Sequence, residues 1–210
     1  MKYKHIVFDV DGTLLDTAET SLRCLQRVFV EVLGVEYPME ELRPLFGIPC
    51  AEIAEMYHCP DVEYTVKTWQ RYDHEAKSSV LLFDGIREVL DKLYDTNLVL
   101  GVVTSRSRPE VEQQMPMFKL NKYFKTSICS DDTDRRKPYP DPLLKYMELT
   151  GASADEVLYI GDSKHDMECA KAAGIDGALA GWGSMSLEIE EAAYVFEKPE
   201  EVLAFLNIPV

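Results

Sequence analysis

The chain has 210 residues, 46% hydrophobic and 28% charged, enough for one domain, or one domain with an insertion, around a sizeable core. Its 37 acidic residues against 22 basic ones leave a formal net charge of −15, which argues against a nucleic-acid or anionic-membrane surface. Five cysteines without a CxxC pair, no signal-peptide core, no bilayer-length apolar run and no paired histidines to hold zinc fit a cytoplasmic protein.

In chain order, Ile6-Val7-Phe8 reads as the end of a buried strand, and Asp9-Val10-Asp11-Gly12-Thr13 follows at once. Two carboxylates two residues apart on a strand share one face, and their repulsion calls for a cation, a shared proton or a positive partner. The period then changes. Leu22, Leu25, Phe29, Val32 and Leu33 recur at helical spacing between Asp16 and Gly34, with Asp16 and Glu19 resembling a capping box. Shorter helices are expected over Met39 to Phe46 and Ala51 to Tyr57, and a longer one from about Asp61 to Lys77. With no convincing strand between Leu15 and Ser79, this block reads as a helical insertion with hinges near Leu14–Asp16 and Ser78–Phe83.

Strand and helix alternate again from Asp84-Gly85, which opens a helix carrying Ile86, Val89, Leu90 and Leu93. The strand at Leu98–Val103 ends in Thr104-Ser105, and a helix follows from about Arg108, broken near Pro116. The Ser127 strand runs into Asp131-Asp132 and Arg135-Arg136-Lys137-Pro138, then a helix over Pro142–Leu149. Val157–Ile160 ends in Gly161-Asp162-Ser163, followed by a helix to Ala173. Gly177–Ala180 and Tyr194–Phe196 are short strands, and Pro199 is expected in the first turn of a last helix. Short apolar runs between helices argue for parallel strands buried on both faces, whose carboxyl ends form the ligand edge. Here those ends carry a carboxylate pair, two hydroxyls, a lysine and another carboxylate, a set suited to phosphate and a divalent metal.

These four segments, in this order, resemble the haloacid dehalogenase superfamily in its phosphatase branch. Motif one is Asp9 to Thr13, motif two Thr104-Ser105, motif three Lys137, and motif four Gly161-Asp162-Ser163-Lys164-His165-Asp166. The resemblance covers nearly the whole chain. It implies an α/β fold in which a Rossmann-like parallel sheet core (1–14 and 82–210) carries an inserted α-helical cap domain (15–81).

The resemblance also implies the chemistry. Asp9 is the nucleophile that forms an aspartyl-phosphate, and Asp11 is the general acid and base. Thr104, Ser105 and Lys137 hold the phosphoryl group. Mg²⁺ is bound by Asp9, Asp162 and the main-chain carbonyl of Asp11, while Asp166 binds it through water or orients Lys137. Arg106 and the cap loop Arg43, Phe46, Gly47 and Ile48 are the candidates for substrate selection.

The expected function is a Mg²⁺-dependent phosphatase acting on a small phosphorylated metabolite, as a monomer or weak homodimer. An inorganic pyrophosphatase or a β-phosphoglucomutase-like enzyme fits the same core. Asp11 argues against the dehalogenase branch, and neither Lys67 nor Lys77 has the apolar setting a cap Schiff-base lysine needs. A regulatory protein on this fold is expected to have lost Asp9, Asp11, Lys137 or Asp162, and this chain keeps all four.

Overall fold

The computed structural model describes residues 2–76 and 79–209. In chain order, β1 (His5–Phe8) and the short β2 (Leu15–Asp16) lead into helices α1 (Ala18–Leu33), α2 (Met39–Leu42), α3 (Cys50–Met56) and α4 (Val62–Ala76). The two-residue β3 (Leu81–Leu82) is followed by α5 (Ile86–Tyr94), β4 (Val99–Val103), α6 (Arg108–Met117), β5 (Thr126–Ile128) and α7 (Asp141–Thr150). Next come β6 (Val157–Gly161), α8 (Lys164–Ala173), β7 (Asp176–Ala180), β8 (Tyr194–Phe196) and α9 (Glu201–Phe205).

Two compact units result. One holds the residues up to Leu15 and from Leu82 onward; the other is Asp16–Leu81. In the first, six strands form one sheet in the order β5-β4-β1-β6-β7-β8, and each neighbouring pair is parallel. Such a sheet needs helices on both faces, which explains why Ile6, Val7, Phe8, Leu158, Tyr159 and Ile160 are all buried rather than alternately exposed. On one face Val7, Val103, Ile128 and Tyr159 pack with Leu143 and Tyr146 of α7 and Cys169 and Ala170 of α8. Strand order runs outward one way from β1 through β4 and the other way from β6, so the topological switch lies between β1 and β6.

The helical unit has its own core. Leu22, Leu25 and Phe29 line one face of α1 and pack with Leu42, Leu45, Ile53, Ala54 and Cys59. Phe29, Tyr37 and Tyr57 form an aromatic trio with ring centroids 5.0, 4.6 and 5.3 Å apart. Helix α1 ends where Gly34 takes a φ of +70°, the left-handed conformation that lets its amide reach back to the last turn.

Several boundaries differ from those expected. Asp16 does not cap α1: it belongs to β2, Thr17 is the cap, and no side-chain cap bond is made. The strand signal at Leu15–Asp16 was hidden because two residues are too few to show a period. Pro199 precedes α9 rather than entering it, since the cap is Glu200. Pro116 lies inside the last turn of α6. Lys67 pairs with Glu63 on an exposed helix face, and Lys77 and Ser78 lie outside the described residues.

Candidate active site

The ladder of β1 stops at Phe8, and Asp9 is held by its amide donating to Ile160 O at 2.8 Å. The chain then turns sharply: the amides of Thr13, Leu14 and Leu15 all donate to Val10 O, and Gly12 donates to Leu15 O. Gly12 has φ +72°, and a Cβ there would overlap the Asp162 carboxylate, so only glycine fits. This turn separates the two motif-one carboxylates that a continued strand would have placed on one face. Asp9 instead clusters with Asp162 and Asp166, whose carboxylate oxygens lie within 4.8 Å of one another, and Asp11 is not among them.

The inner cluster is almost dry. Asp9 and Asp162 are each 5% exposed and Asp166 is 0% exposed. Lys137 Nζ donates to Asp166 Oδ1 at 2.6 Å and lies 3.0 Å from Asp9 Oδ1. It also reaches Tyr159 OH at 3.2 Å. Burial alone would lower the lysine's pKa, but Asp166 and Asp9 outweigh it and hold the ammonium charged. Burial would likewise raise Asp166, yet its bonds to Lys137, Ser163 and Tyr159 hold it below the ordinary carboxylate value. Both Asp166 oxygens are thus engaged, one by Lys137 and Tyr159 and the other by the Ser163 amide and hydroxyl. Lys137 is thereby tied to Asp166 as well as to Asp9. The Lys137–Pro138 peptide that delivers this side chain is cis.

The charges do not balance. Three buried carboxylates face one ammonium, so with all three ionised two negative charges would go unpaired. Burial, with Asp166 and Asp11 adding to it, pushes Asp9 up to about 7 against the pull of Lys137. Asp162 is raised well above the carboxylate range, first by burial and then by Asp166 and Asp9. No donor is aligned on the buried Asp9 Oδ1 as a hydrogen bond. Two buried carboxylates, Asp9 and Asp162, side by side with a single ammonium that Asp166 also shares, match a divalent cation bound through oxygen.

The outer half of the site is different. Arg106 holds Asp11 through two parallel bonds, Nε to Oδ2 and Nη2 to Oδ1, each 2.7 Å. The Asp11 side chain is 31% exposed and that of Arg106 10%. Each motif-one carboxylate therefore has its own positive partner. Thr104 is buried, and its hydroxyl accepts the Arg106 amide at 3.2 Å, while Ser105 is exposed. Neither caps the following helix, because that role belongs to Ser107 in a capping box with Glu110. Arg43 is exposed at the start of a 3₁₀ turn, Phe46 ends that turn half-buried, and Gly47 has φ +84°.

A second acidic group, Cys129 with Asp131 and Asp132, is consumed locally. Asp131 accepts the Arg108 amide, and Asp132 accepts the Cys129 amide and the Arg108 guanidinium. Sequence reasoning missed Tyr159 and Ser163. The signal was present for Tyr159, the one residue in Val157–Ile160 whose side chain carries a polar atom.

The chain is similar to several known proteins. The model of the family described as Haloacid dehalogenase-like hydrolase matches residues 6–180. Pyrophosphatase PpaX of Bacillus mycoides is 27% identical over 211 residues, 99% of this chain and 98% of its own length. A candidate pyrophosphatase PpaX of Caldanaerobacter subterraneus is 29% identical over 213 residues, 99% of this chain and 96% of its own. The crystal structure of a candidate phosphoglycolate phosphatase from Lactobacillus plantarum superposes with a TM-score of 0.89 at 27% identity, covering 97% of this chain and 99% of that one.

Proposed function

Because the chain belongs to the haloacid dehalogenase-like hydrolases, we propose that it is a Mg²⁺-dependent phosphatase that hydrolyses a small phosphate monoester through an aspartyl-phosphate on Asp9. The observation that carries this reading is the pairing of Asp9 and Asp162 at the ends of adjacent strands β1 and β6, in a buried cluster of three carboxylates served by the single ammonium of Lys137. Asp9, Asp162 and the main-chain carbonyl of Asp11 are the residues that would hold the cation. Once bound, Mg²⁺ neutralises the carboxylates and screens the phosphoryl oxygens from the nucleophile.

The protein's own groups do the rest. A carboxylate oxygen of Asp9 attacks phosphorus, and the bond from phosphorus to the leaving-group oxygen breaks. Asp11 gives its proton to that oxygen as it departs. Asp11, now a carboxylate, takes a proton from water, whose oxygen attacks the aspartyl-phosphate and releases inorganic phosphate and Asp9. Lys137 stabilises charge on the phosphoryl oxygens, and the Thr104 hydroxyl and Ser105 complete their cradle. For Asp11 to act, its clasp with Arg106 has to open, and Arg106 is then available to an anionic group on the substrate.

A second reading, inorganic pyrophosphatase, is favoured by the Bacillus mycoides relative. In either case the substrate is a small soluble phosphate, with its choice set by Arg106 and by Arg43, Phe46 and Gly47 of the helical unit. The five cysteines are all free thiols, which fits a reducing cytoplasm. Among the described residues no helix is long and apolar enough to cross a membrane. The deciding experiment measures phosphate release from pyrophosphate, phosphoglycolate and sugar phosphates, with and without Mg²⁺. Metal-dependent turnover of at least one is expected, and full turnover in the presence of EDTA would sink the assignment.

A further inference from the structure

The turn that leaves β7, Gly181-Trp182-Gly183-Ser184, belongs to none of the four motifs, yet it touches the first of them twice. Trp182 Nε1 donates to Thr13 O at 2.9 Å. Gly183 lies so close to the Gly12 carbonyl that a Cβ would overlap its oxygen, and the same Cβ would sit 3.0 Å from Phe83 Cζ. The turn itself is pinned, since the amides of Gly183 and Ser184 both donate to Ala180 O and Gly181 donates to Phe196 O. A rigid turn thus presses on two successive main-chain carbonyls of the segment that carries Asp11.

Asp9 needs no such support, because the β6 ladder and Lys137 fix it. Asp11 follows the strand: its side chain is clasped by Arg106, and the path of its backbone runs through the Val10–Leu15 turn, which the Phe83 amide also holds at Leu14 O. We propose that Trp182 and Gly183 are positioning residues for Asp11: they clamp the motif-one turn and so hold the acid and base at its working distance. The inference rests on the phosphatase reading above for its chemistry, but the clamp itself does not.

Two measurements on the intact protein test it. Trp182→Phe keeps a ring and removes the donor; Gly183→Ala strains the other contact. In hydrogen–deuterium exchange, the amides of Gly12 to Leu15 should exchange about tenfold faster in Trp182→Phe, while those of β1 keep the wild-type rate.

In kinetics, p-nitrophenyl phosphate has a leaving group that needs little acid, whereas hydrolysis of the aspartyl-phosphate still needs Asp11 as base. Both variants should slow steady-state turnover about tenfold more than the first release of nitrophenolate, so that a burst grows toward one equivalent per enzyme. A purely structural contact would lower the melting temperature and leave the ratio of the two phases alone. Unchanged exchange at the turn overturns the clamp, and equal slowing of both phases overturns the positioning role. If the wild-type protein releases phosphate from no substrate, the phosphatase reading falls, and the exchange result still decides the clamp.

Discussion

The inner and outer halves of the site solve the same problem, a carboxylate near other carboxylates, in opposite ways. Asp9 and Asp166 share Lys137 where side chains are at most 7% exposed, and the ammonium touches two carboxylates and a phenol at once. Asp11 shares Arg106 at a partly open surface, through a planar two-bond clasp. The inner arrangement has no alternative partner once formed, because leaving it would strand a buried charge. The outer one has alternatives, since water reaches the Asp11 carboxylate and another anion can take its place on Arg106. A nucleophile benefits from the first kind of setting, and a group that must donate and retrieve a proton benefits from the second.

The largest break in this comparison is Asp9→Asn. It keeps the shape of the inner cluster and removes the attacking oxygen, so turnover should fall by at least about 10⁴-fold. Phosphate release measured on protein of wild-type melting temperature checks it, and near-normal turnover would falsify covalent catalysis at this position. Lys137→Met should destabilise the fold by about 3–5 kcal/mol as well as stop turnover, because it leaves carboxylates buried without their cation. Urea unfolding in the absence of metal gives the number.

The pH dependence of the metal-free protein sharpens the same point. Asp9, raised to about 7, and Asp162, raised well above its usual range, hold protons in the folded state that the unfolded chain releases near 3.8. A raised folded pKa stabilises below the unfolded value, and that stability is lost as pH climbs through the folded one. Stripped of metal, the protein should therefore melt at progressively lower temperature between about pH 4 and 7, and Mg²⁺ should flatten the decline. Equal slopes with and without Mg²⁺ would count against cation binding at this cluster.

Arg106→Ala should cost no more than about 1 kcal/mol of stability, since the pair is partly solvated. Its mark should be a changed ranking of anionic against neutral leaving groups in kcat/KM. Smallest in stability is Arg43→Ala, at an exposed position, whereas Phe46→Ala also removes a ring packed on the helical core. Both should reorder substrates while leaving Mg²⁺ affinity unaltered, and an unchanged order in both would move discrimination to Arg106.

The parallel sheet and the order of its chemical groups were legible because each strand end combines an apolar run with a sharp change to Asp, Thr, Lys or Gly-Asp. The partners were not. Nothing local in Arg106 says that its guanidinium reaches back to Asp11, since the two meet only when β1 and β4 become neighbours. Trp182 is a similar case: an indole after a short strand reads as packing until the turn of Thr13 is placed against it. Asp16 failed for another reason, that cap and strand signals overlap over two residues. The helical unit carries helix periodicity and little else, so its elements could be read while the roles of Arg43 and Phe46 stayed open.

Strands β2 and β3 pair as a two-stranded sheet at the points where the chain leaves and rejoins the core unit. To the core, everything between them is one long loop closed at its neck. Closure entropy grows slowly, at roughly 0.6 kcal/mol for each doubling of loop length, so the length of that loop matters little to the sheet. Such a neck makes the segment exchangeable as a cassette. The six-stranded sheet and the cluster at its strand ends would tolerate a longer or shorter segment between β2 and β3 at little cost.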